Sequence, residues 1–135
     1  MGLGNVPPGK GRKLKQPFIN WFEIPVLDLA RAVRFYNYSL QTSLETIELS
    51  DYSMAIFPAQ LGVGGALVMG QGCEPSEIGS LIYLNAPDDI QSTLERIEEA
   101  GGRVITEKTK TNDDTGYFAL FIDSEGNRLA LNSKN

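Results

Sequence analysis

The sequence predicts an α+β fold in which two β-α-β-β-β modules form a mixed-sheet, half-open barrel. Three observations support this prediction. Two amphipathic helix patterns begin after acidic residues, Asp28 and Asp88, at corresponding places in the two halves. Each helix pattern follows one strand candidate and precedes three. The third strand candidate of each half also carries a similar aromatic and aliphatic run. Internal duplication is the simplest explanation of this repeat.

The chain of 135 residues is predicted to form a single domain at 17–135 after a basic leader at 1–16. The leader has too few apolar residues to pack, so it is expected to be flexible or loosely docked. We assign no function to it. Within the domain, the modules are expected at 17–70 and 79–133, joined by a linker at 71–78.

The first module begins with a strand at 17–26, in which side chains alternate between two faces. Phe22 belongs to one face, and Trp21 and Glu23 belong to the other. Asp28 is a predicted N-cap, because the apolar residues after it follow helical spacing. Glycine and proline residues mark the turns between three further strand candidates. These lie at 43–49, 52–58 and 64–69.

The second module repeats this order. A strand at 80–86 precedes a helix that starts at 87–89, with Asp88 as its cap, and ends at Gly101 and Gly102. The turn at 123–126 has the sequence Asp-Ser-Glu-Gly, which favours a hairpin. The remaining strand candidates lie at 103–108, 115–122 and 127–131.

The composition disfavours several kinds of site. The chain has no His, which is the usual general base near neutral pH, the usual partner of a Ser or Cys nucleophile and a common metal ligand. Its one cysteine, Cys73, cannot form an internal disulfide, and no secretory signal pattern is present, so a cytoplasmic location is expected. No apolar run approaches the length that spans a membrane. The formal net charge of −5 disfavours nucleic acid as a partner.

The alternation in the first strand predicts where a ligand site would lie. A sheet with a single helix has one covered face, and Trp21 and Glu23 are expected on its open, concave face. Two such sheets side by side would enclose a cavity, which is the usual place for a small-molecule ligand. A carboxylate in that cavity needs hydration or a partner. Arg128 and Asn132 are candidate partners, because strand alternation turns both of them inward.

Four segments carry a family resemblance, at 20–36, 64–68, 81–85 and 116–128. The combination of Asp-Leu-x-Arg-Ala-x-x-Phe-Tyr at 28–36 with the late Asp-x-x-Gly-Asn at 123–127 is specific. The chain resembles the vicinal oxygen chelate superfamily, which includes glyoxalase I, bleomycin-resistance proteins and extradiol dioxygenases. The resemblance extends over 18–132. It implies the two-module fold inferred above and a homodimer.

The resemblance also implies where a metal would bind. In metal-dependent members a His precedes the first helix, at the position that Trp21 occupies here. A second ligand opens the fifth strand, where this chain has Ser80, and a Glu of the last strand is replaced by Ala130. The fourth ligand would fall within 66–68, which contains no acidic residue or His. We therefore expect no bound metal and no cofactor, which disfavours glyoxalase I chemistry and extradiol ring cleavage.

Polar and aromatic residues expected in the cavity are candidates for ligand binding. Glu23 is either a general base or cation-binding group, or part of a structural hydrogen bond or ion pair, and the structural alternative is favoured. Trp21 either stacks on an aromatic or cationic ligand or fills the core where the metal site is lost. Tyr52 and Tyr117 occupy matching places and are expected at the rim, with ordinary strand tyrosines as the alternative. The full candidate set is Trp21, Glu23, Ser80, Tyr52, Tyr117, Arg128 and Asn132.

Three hypotheses follow for the function. The first is a metal-independent protein of the glyoxalase and bleomycin-resistance type that binds a small organic ligand, neutral or cationic because the domain is acidic. The second is a metal-independent enzyme of lyase or isomerase type, in which Glu23 removes a proton next to a carbonyl. The third is an inert dimeric scaffold whose cavity is filled by its own side chains.

Overall fold

The computed structural model describes residues 13–135, and its elements follow the predicted order. Of the predicted leader, only 13–16 lie within the described residues, where they are exposed and irregular. Five predicted strands are shorter in the structure, namely those at 17–26, 43–49, 52–58, 80–86 and 115–122. The elements are β1 (Trp21–Pro25), α1 (Leu29–Ser39), β2 (Glu45–Glu48), β3 (Tyr52–Ile56), β4 (Gly64–Gly70), β5 (Tyr83–Asn85), α2 (Ile90–Glu99), β6 (Arg103–Lys110), β7 (Tyr117–Ile122) and β8 (Arg128–Ser133).

Each module forms a four-stranded mixed sheet, and the two sheets share one topology. The strand orders are β1-β4-β3-β2 and β5-β8-β7-β6. The first strand of each module runs parallel to the last, so that Glu23 lies opposite Ala66 and Tyr83 lies opposite Ala130. The other neighbouring strands are antiparallel. The predicted α+β fold of two β-α-β-β-β modules is confirmed.

The two helices begin at side-chain caps, one of which differs from the prediction. Asp28 caps α1 as predicted, because its carboxylate accepts a hydrogen bond from the Arg31 backbone N–H at 3.0 Å. The cap of α2 is Asp89 and not Asp88. Only the residue directly before the first helical residue can reach the free N–H groups of the first turn. Asp88 lies one residue earlier and accepts hydrogen bonds from the Arg96 guanidinium instead.

The buried residues of both modules form one hydrophobic cluster. Each helix packs against its own sheet, and the two helices also contact each other. Phe35 of α1 stacks against Phe121 of β7, with ring centroids 6.3 Å apart. Neither helix between residues 13 and 135 is long and apolar enough to cross a membrane. Because both helices contribute to this one cluster, the helix-covered faces of the sheets lie towards a shared core, and the opposite face of each sheet is left for other contacts.

A buried carboxylate in the β7–β8 turn connects the second module to the start of α1. Glu125 accepts hydrogen bonds from the backbone N–H groups of Leu27 and Asp28, both at 2.9 Å. The Arg31 guanidinium donates to the same carboxylate, with Nε at 2.7 Å. Burial alone would raise the pKa of Glu125, but the hydrogen bonds from Arg31 and from the two N–H groups outweigh it and lower the pKa to about 2.

A second carboxylate of this turn reaches into the core. The Tyr36 hydroxyl, which is fully buried, donates to the Asp123 carboxylate at 2.6 Å. Burial and the neighbouring Asp123 charge raise the pKa of Tyr36 well above its usual value. Asp123 also accepts the backbone N–H groups of Glu125 and Asn127, which fixes the shape of the turn.

Candidate functional site

The open face of β1 carries the two residues that alternation predicted for it. Trp21 and Glu23 are exposed, whereas Ile24 is buried on the helix-covered face. The indole Nε1 of Trp21 donates a hydrogen bond to a Glu23 carboxylate oxygen at 3.2 Å. Gly64 lies opposite Trp21 in the register, and a Cβ there would lie 3.3 Å from the indole ring. The absence of a side chain at Gly64 therefore leaves room for the ring above β4.

A cavity of about 180 Å³ lies at the boundary between the modules and brings together Glu23, Ser80 and Arg128. Its walls come from β1, the segment at 74–82 and the beginning of β8. One contact sets the relative position of two walls, because the Asn127 side-chain amide donates to the Pro25 carbonyl at 2.7 Å. Pro25 lies two residues after Glu23, and Asn127 directly precedes Arg128. Three of the predicted ligand-binding residues thus line one cavity.

The Arg128 guanidinium in this cavity forms only part of the hydrogen bonds that its N–H groups could donate. One terminal nitrogen donates to the Gly79 carbonyl at 3.1 Å. Its Nε is buried and has no hydrogen-bond partner among residues 13–135. Within the same residues Glu23 forms no ion pair with Arg128 and no hydrogen bond with Asn132, which the sequence had suggested as its structural partners. The hydrogen-bond partner of Glu23 is the Trp21 indole.

A groove of about 500 Å³ adjoins Glu23 on the open face of the first sheet. Tyr52, which was predicted as a rim residue, lines this groove. Sequence reasoning did not assign Asp51 and Gln71 to the site. They lie there because Tyr52 of β3 pairs with Gly70 of β4. Asp51, directly before β3, and Gln71, directly after β4, are therefore close together. The complete lining is Glu23, Asp51, Tyr52, Val68, Gln71 and Cys73.

Tyr117 and Asn132 do not line either cavity. Tyr117 packs against the hydrophobic core, with the Lys108 ammonium 4.4 Å from the centre of its ring. Tyr117 therefore does not occupy a position equivalent to that of Tyr52, which lines the groove. In β3 the alanine that belongs to the hydrophobic core is Ala55, three residues after Tyr52, whereas in β7 it is Ala119, two residues after Tyr117. Because faces alternate with every residue, this difference of one places the two tyrosines on opposite faces. Asn132 is exposed on β8.

The positions at which the resemblance implied metal ligands do not fit a metal site. Trp21 has no lone pair to offer a cation, and Ala130 and the residues at 66–68 are buried and apolar. The Ser80 hydroxyl alone remains, which is a weak ligand for zinc, nickel or iron. Across residues 13–135, no group of three His, Cys, Asp or Glu side chains is placed so that it could hold a metal ion.

Comparisons with known proteins agree with this architecture. The model of the Glyoxalase/Bleomycin resistance protein/Dioxygenase superfamily matches residues 18–131. A glyoxylase-like domain-containing protein from Didymella fabae is 26% identical over 118 residues, which cover 84% of this chain and 91% of the relative.

Solved structures share this fold at lower sequence identity. A glyoxalase I mutant from Zea mays superimposes with a TM-score of 0.65 and 17% identity, covering 85% of this chain. The alignment covers 45% of the maize chain, so this protein spans less than half of its length. A glyoxalase/bleomycin resistance protein from Albidiferax ferrireducens matches with a TM-score of 0.59 and 16% identity, over 86% of this chain and 98% of its own. These structures support the fold, and the family model gives the assignment: the chain belongs to the Glyoxalase/Bleomycin resistance protein/Dioxygenase superfamily.

Proposed function

We propose that this protein binds a small organic molecule at Glu23, without a catalytic metal. The observation that carries the proposal is that Glu23 lines two adjoining concavities, the cavity shared with Ser80 and Arg128 and the groove beside Tyr52. The groove, at about 500 Å³, has the size of typical small-molecule sites. Open space in both the cavity and the groove favours ligand binding over an inert scaffold whose cavity is filled by its own side chains.

The groove favours a neutral or cationic ligand. Two carboxylates, those of Glu23 and Asp51, line it, and among the described residues no basic side chain does. Trp21 and Tyr52 are 42% and 41% exposed on the same open face. Exposed aromatic rings attract cations and stack on flat apolar groups. An aromatic cation therefore matches the charge of the groove and the Tyr52 ring that lines it.

Trp21 is the only tryptophan of the chain, and its indole donates a hydrogen bond to Glu23, so its fluorescence reports on the surroundings of Glu23. We would titrate the protein with benzyltrimethylammonium, with benzyl alcohol and with benzoate, which are cationic, neutral and anionic aromatic probes. The proposal predicts a saturable fluorescence change with the cation and the alcohol, and none with benzoate. Absence of saturation with all three probes would contradict it.

Glu23→Gln separates the contribution of the carboxylate. The variant should weaken binding of the cation roughly threefold to fivefold, as expected for an exposed ion pair, and leave binding of benzyl alcohol unchanged. Glu48→Gln is the matched control, because Glu48 is exposed on β2 at the far edge of the same sheet. Equal affinity of the Glu23→Gln and native proteins for the cation would remove Glu23 from the site. Glu23-dependent exchange of the α-protons of hydroxyacetone in D₂O, followed by NMR, would favour the enzyme alternative instead.

A further inference from the structure

Two arginines are half-buried between residues 13 and 135, and their contacts differ. The Arg96 guanidinium donates hydrogen bonds to both carboxylate oxygens of Asp88 and to two further protein oxygens. The Arg128 guanidinium donates to the Gly79 carbonyl alone, and its buried Nε has no partner. A guanidinium has five N–H donors, and a buried donor without an acceptor is costly and rare. Arg96 therefore has the contacts of a structural arginine, whereas Arg128 retains donors for a further acceptor.

The cavity that Arg128 lines contains charges of both signs that do not pair. Glu23 and Glu74 line the same cavity, yet within the described part of the chain neither forms an ion pair with Arg128. Glu23 and Arg128 each form a hydrogen bond with another residue instead. Opposite charges that line one cavity without pairing are complementary to a ligand that carries both charges.

We propose that the ligand of this site is a zwitterion, with its carboxylate bound by Arg128 and its cationic nitrogen by Glu23. Arginine can donate two parallel N–H groups to a carboxylate, which is a strong and directional contact. The Ser80 hydroxyl lines the same cavity and can donate to the same carboxylate. The inference rests on the proposed function and narrows its ligand class, because a zwitterion is neutral overall.

The volumes and the charge balance define the ligand further. At about 180 Å³ the cavity has room for a small polar head group, and the adjoining groove of about 500 Å³ has room for the rest of the molecule. Glu23 lines both spaces, so the cationic nitrogen would lie where they meet. Two carboxylates and one guanidinium line the cavity, so a carboxylate that lacks a cationic nitrogen would be repelled. The ligand class is therefore an amino acid-like compound whose side group occupies the groove beside Tyr52.

Three related aromatic probes test the proposal through the fluorescence of Trp21, excited at a wavelength that only the indole absorbs. L-Phenylalanine carries both charges, phenethylamine lacks the carboxylate and 3-phenylpropionate lacks the ammonium group. The native protein should bind phenylalanine roughly tenfold more tightly than phenethylamine, as expected for charge-assisted hydrogen bonds. It should bind 3-phenylpropionate more weakly than either.

Substitutions of Arg128 separate its contribution from that of Glu23. Arg128→Gln should weaken binding of phenylalanine about tenfold. It should not weaken binding of phenethylamine, which also shows that the site is folded. Arg103→Gln is the matched control, because it removes the same charge from an exposed position on β6, at the far edge of the second sheet. This variant should bind all three probes like the native protein.

NMR of arginine side chains provides a measurement on the native protein that does not depend on the folding of Arg128→Gln. The Nε–H resonance of Arg128 is identified by its absence from the spectrum of Arg128→Lys. In the native protein this resonance should shift with phenylalanine and stay in place with phenethylamine.

The outcomes distinguish this inference from the proposed function. Equal affinity of the native protein for phenylalanine and phenethylamine would overturn the zwitterion and leave the proposed function intact. So would equal effects of Arg128→Gln and Arg103→Gln on phenylalanine binding, or binding of benzyltrimethylammonium without binding of phenylalanine. Absence of binding by every cationic, neutral and zwitterionic probe would overturn both proposals.

Discussion

Replacing Glu125 by Gln should destabilise the protein strongly and change its response to acid. The Glu125 side chain is fully buried and accepts five hydrogen bonds, from two backbone N–H groups, two nitrogens of Arg31 and the Ser124 hydroxyl. Gln keeps the size of the side chain but removes its charge, and it turns an NH₂ group towards donors that need an acceptor. Removing one partner of a buried ion pair typically costs about 3–5 kcal/mol. Because Arg31 is half exposed, we expect about 2–4 kcal/mol here.

The lowered pKa of Glu125 gives the sign of the pH effect. Its pKa is about 2 in the folded protein, against an ordinary value of 4.5. The folded state therefore binds this proton more weakly than the unfolded state does. The carboxylate stabilises the fold above pH 4.5, and the stabilisation is lost as the pH falls from 4.5 towards 2. A difference of about 2.5 pKa units corresponds to about 3 kcal/mol.

Urea denaturation at pH 7 and at pH 3 measures both effects. The native protein should lose stability between these values, and Glu125→Gln should lose less, because the group responsible is absent. Some acid dependence should remain, since hydrogen bonds also lower the pKa values of Asp88, Asp89 and Asp113. Glu95→Gln is the matched control, because Glu95 is exposed on α2, and it should change stability by less than about 0.5 kcal/mol.

Two outcomes would refute this reasoning. One is a loss of less than about 1 kcal/mol in Glu125→Gln at pH 7, which would mean that the buried hydrogen bonds add little to stability. The other is an equal loss of stability between pH 7 and pH 3 in the native and variant proteins. That result would assign the acid sensitivity to other carboxylates.

Two further substitutions test close contacts in the core. Tyr36→Phe removes the buried hydroxyl that donates to Asp123, and should cost about 1.5–3 kcal/mol in urea denaturation, because the carboxylate loses a buried donor. Unchanged stability of this variant would show that the other donors to Asp123 are sufficient without the Tyr36 hydroxyl. Gly102→Ala places a Cβ 2.7 Å from the Ile122 carbonyl oxygen and should cost about 1–3 kcal/mol through the backbone shift that it forces. An unchanged urea midpoint would contradict that clash.

Local periodicity was sufficient to predict the element order and the faces of β1. The alternation that placed Trp21 and Glu23 opposite Phe22 depends only on neighbouring residues, and so does the cap of α1 at Asp28. The second helix is different, because Asp88 and Asp89 are both good caps, and the position of the first helical turn decides between them. The type of each element could therefore be predicted from the sequence. The exact ends of the elements depend on backbone geometry, which the spacing of apolar residues does not determine.

The site was less predictable, because it depends on contacts between distant segments. Asp51 and Gln71 meet at the groove through the pairing of β3 with β4, which the sequence pattern does not specify. Tyr117 was expected beside Tyr52 because the two runs look alike. A difference of one residue in the position of the buried alanine reverses the face. Glu125 was predicted only as part of a turn, and its partner Arg31 is 94 residues away.

The boundary between the modules is held at one end by polar contacts and left open at the other. Glu125 joins the start of α1 to the β7–β8 turn, and Asn127 binds the Pro25 carbonyl two residues after Glu23. These contacts bring Glu23 and Arg128 to one cavity without requiring the rest of the boundary to be packed. Beyond these contacts the boundary stays open as an apolar cleft of about 700 Å³, between the loop at 57–63 and the segment at 81–85. The same polar contacts therefore fix the walls of the cavity around Glu23 and leave the apolar end of the boundary unpacked.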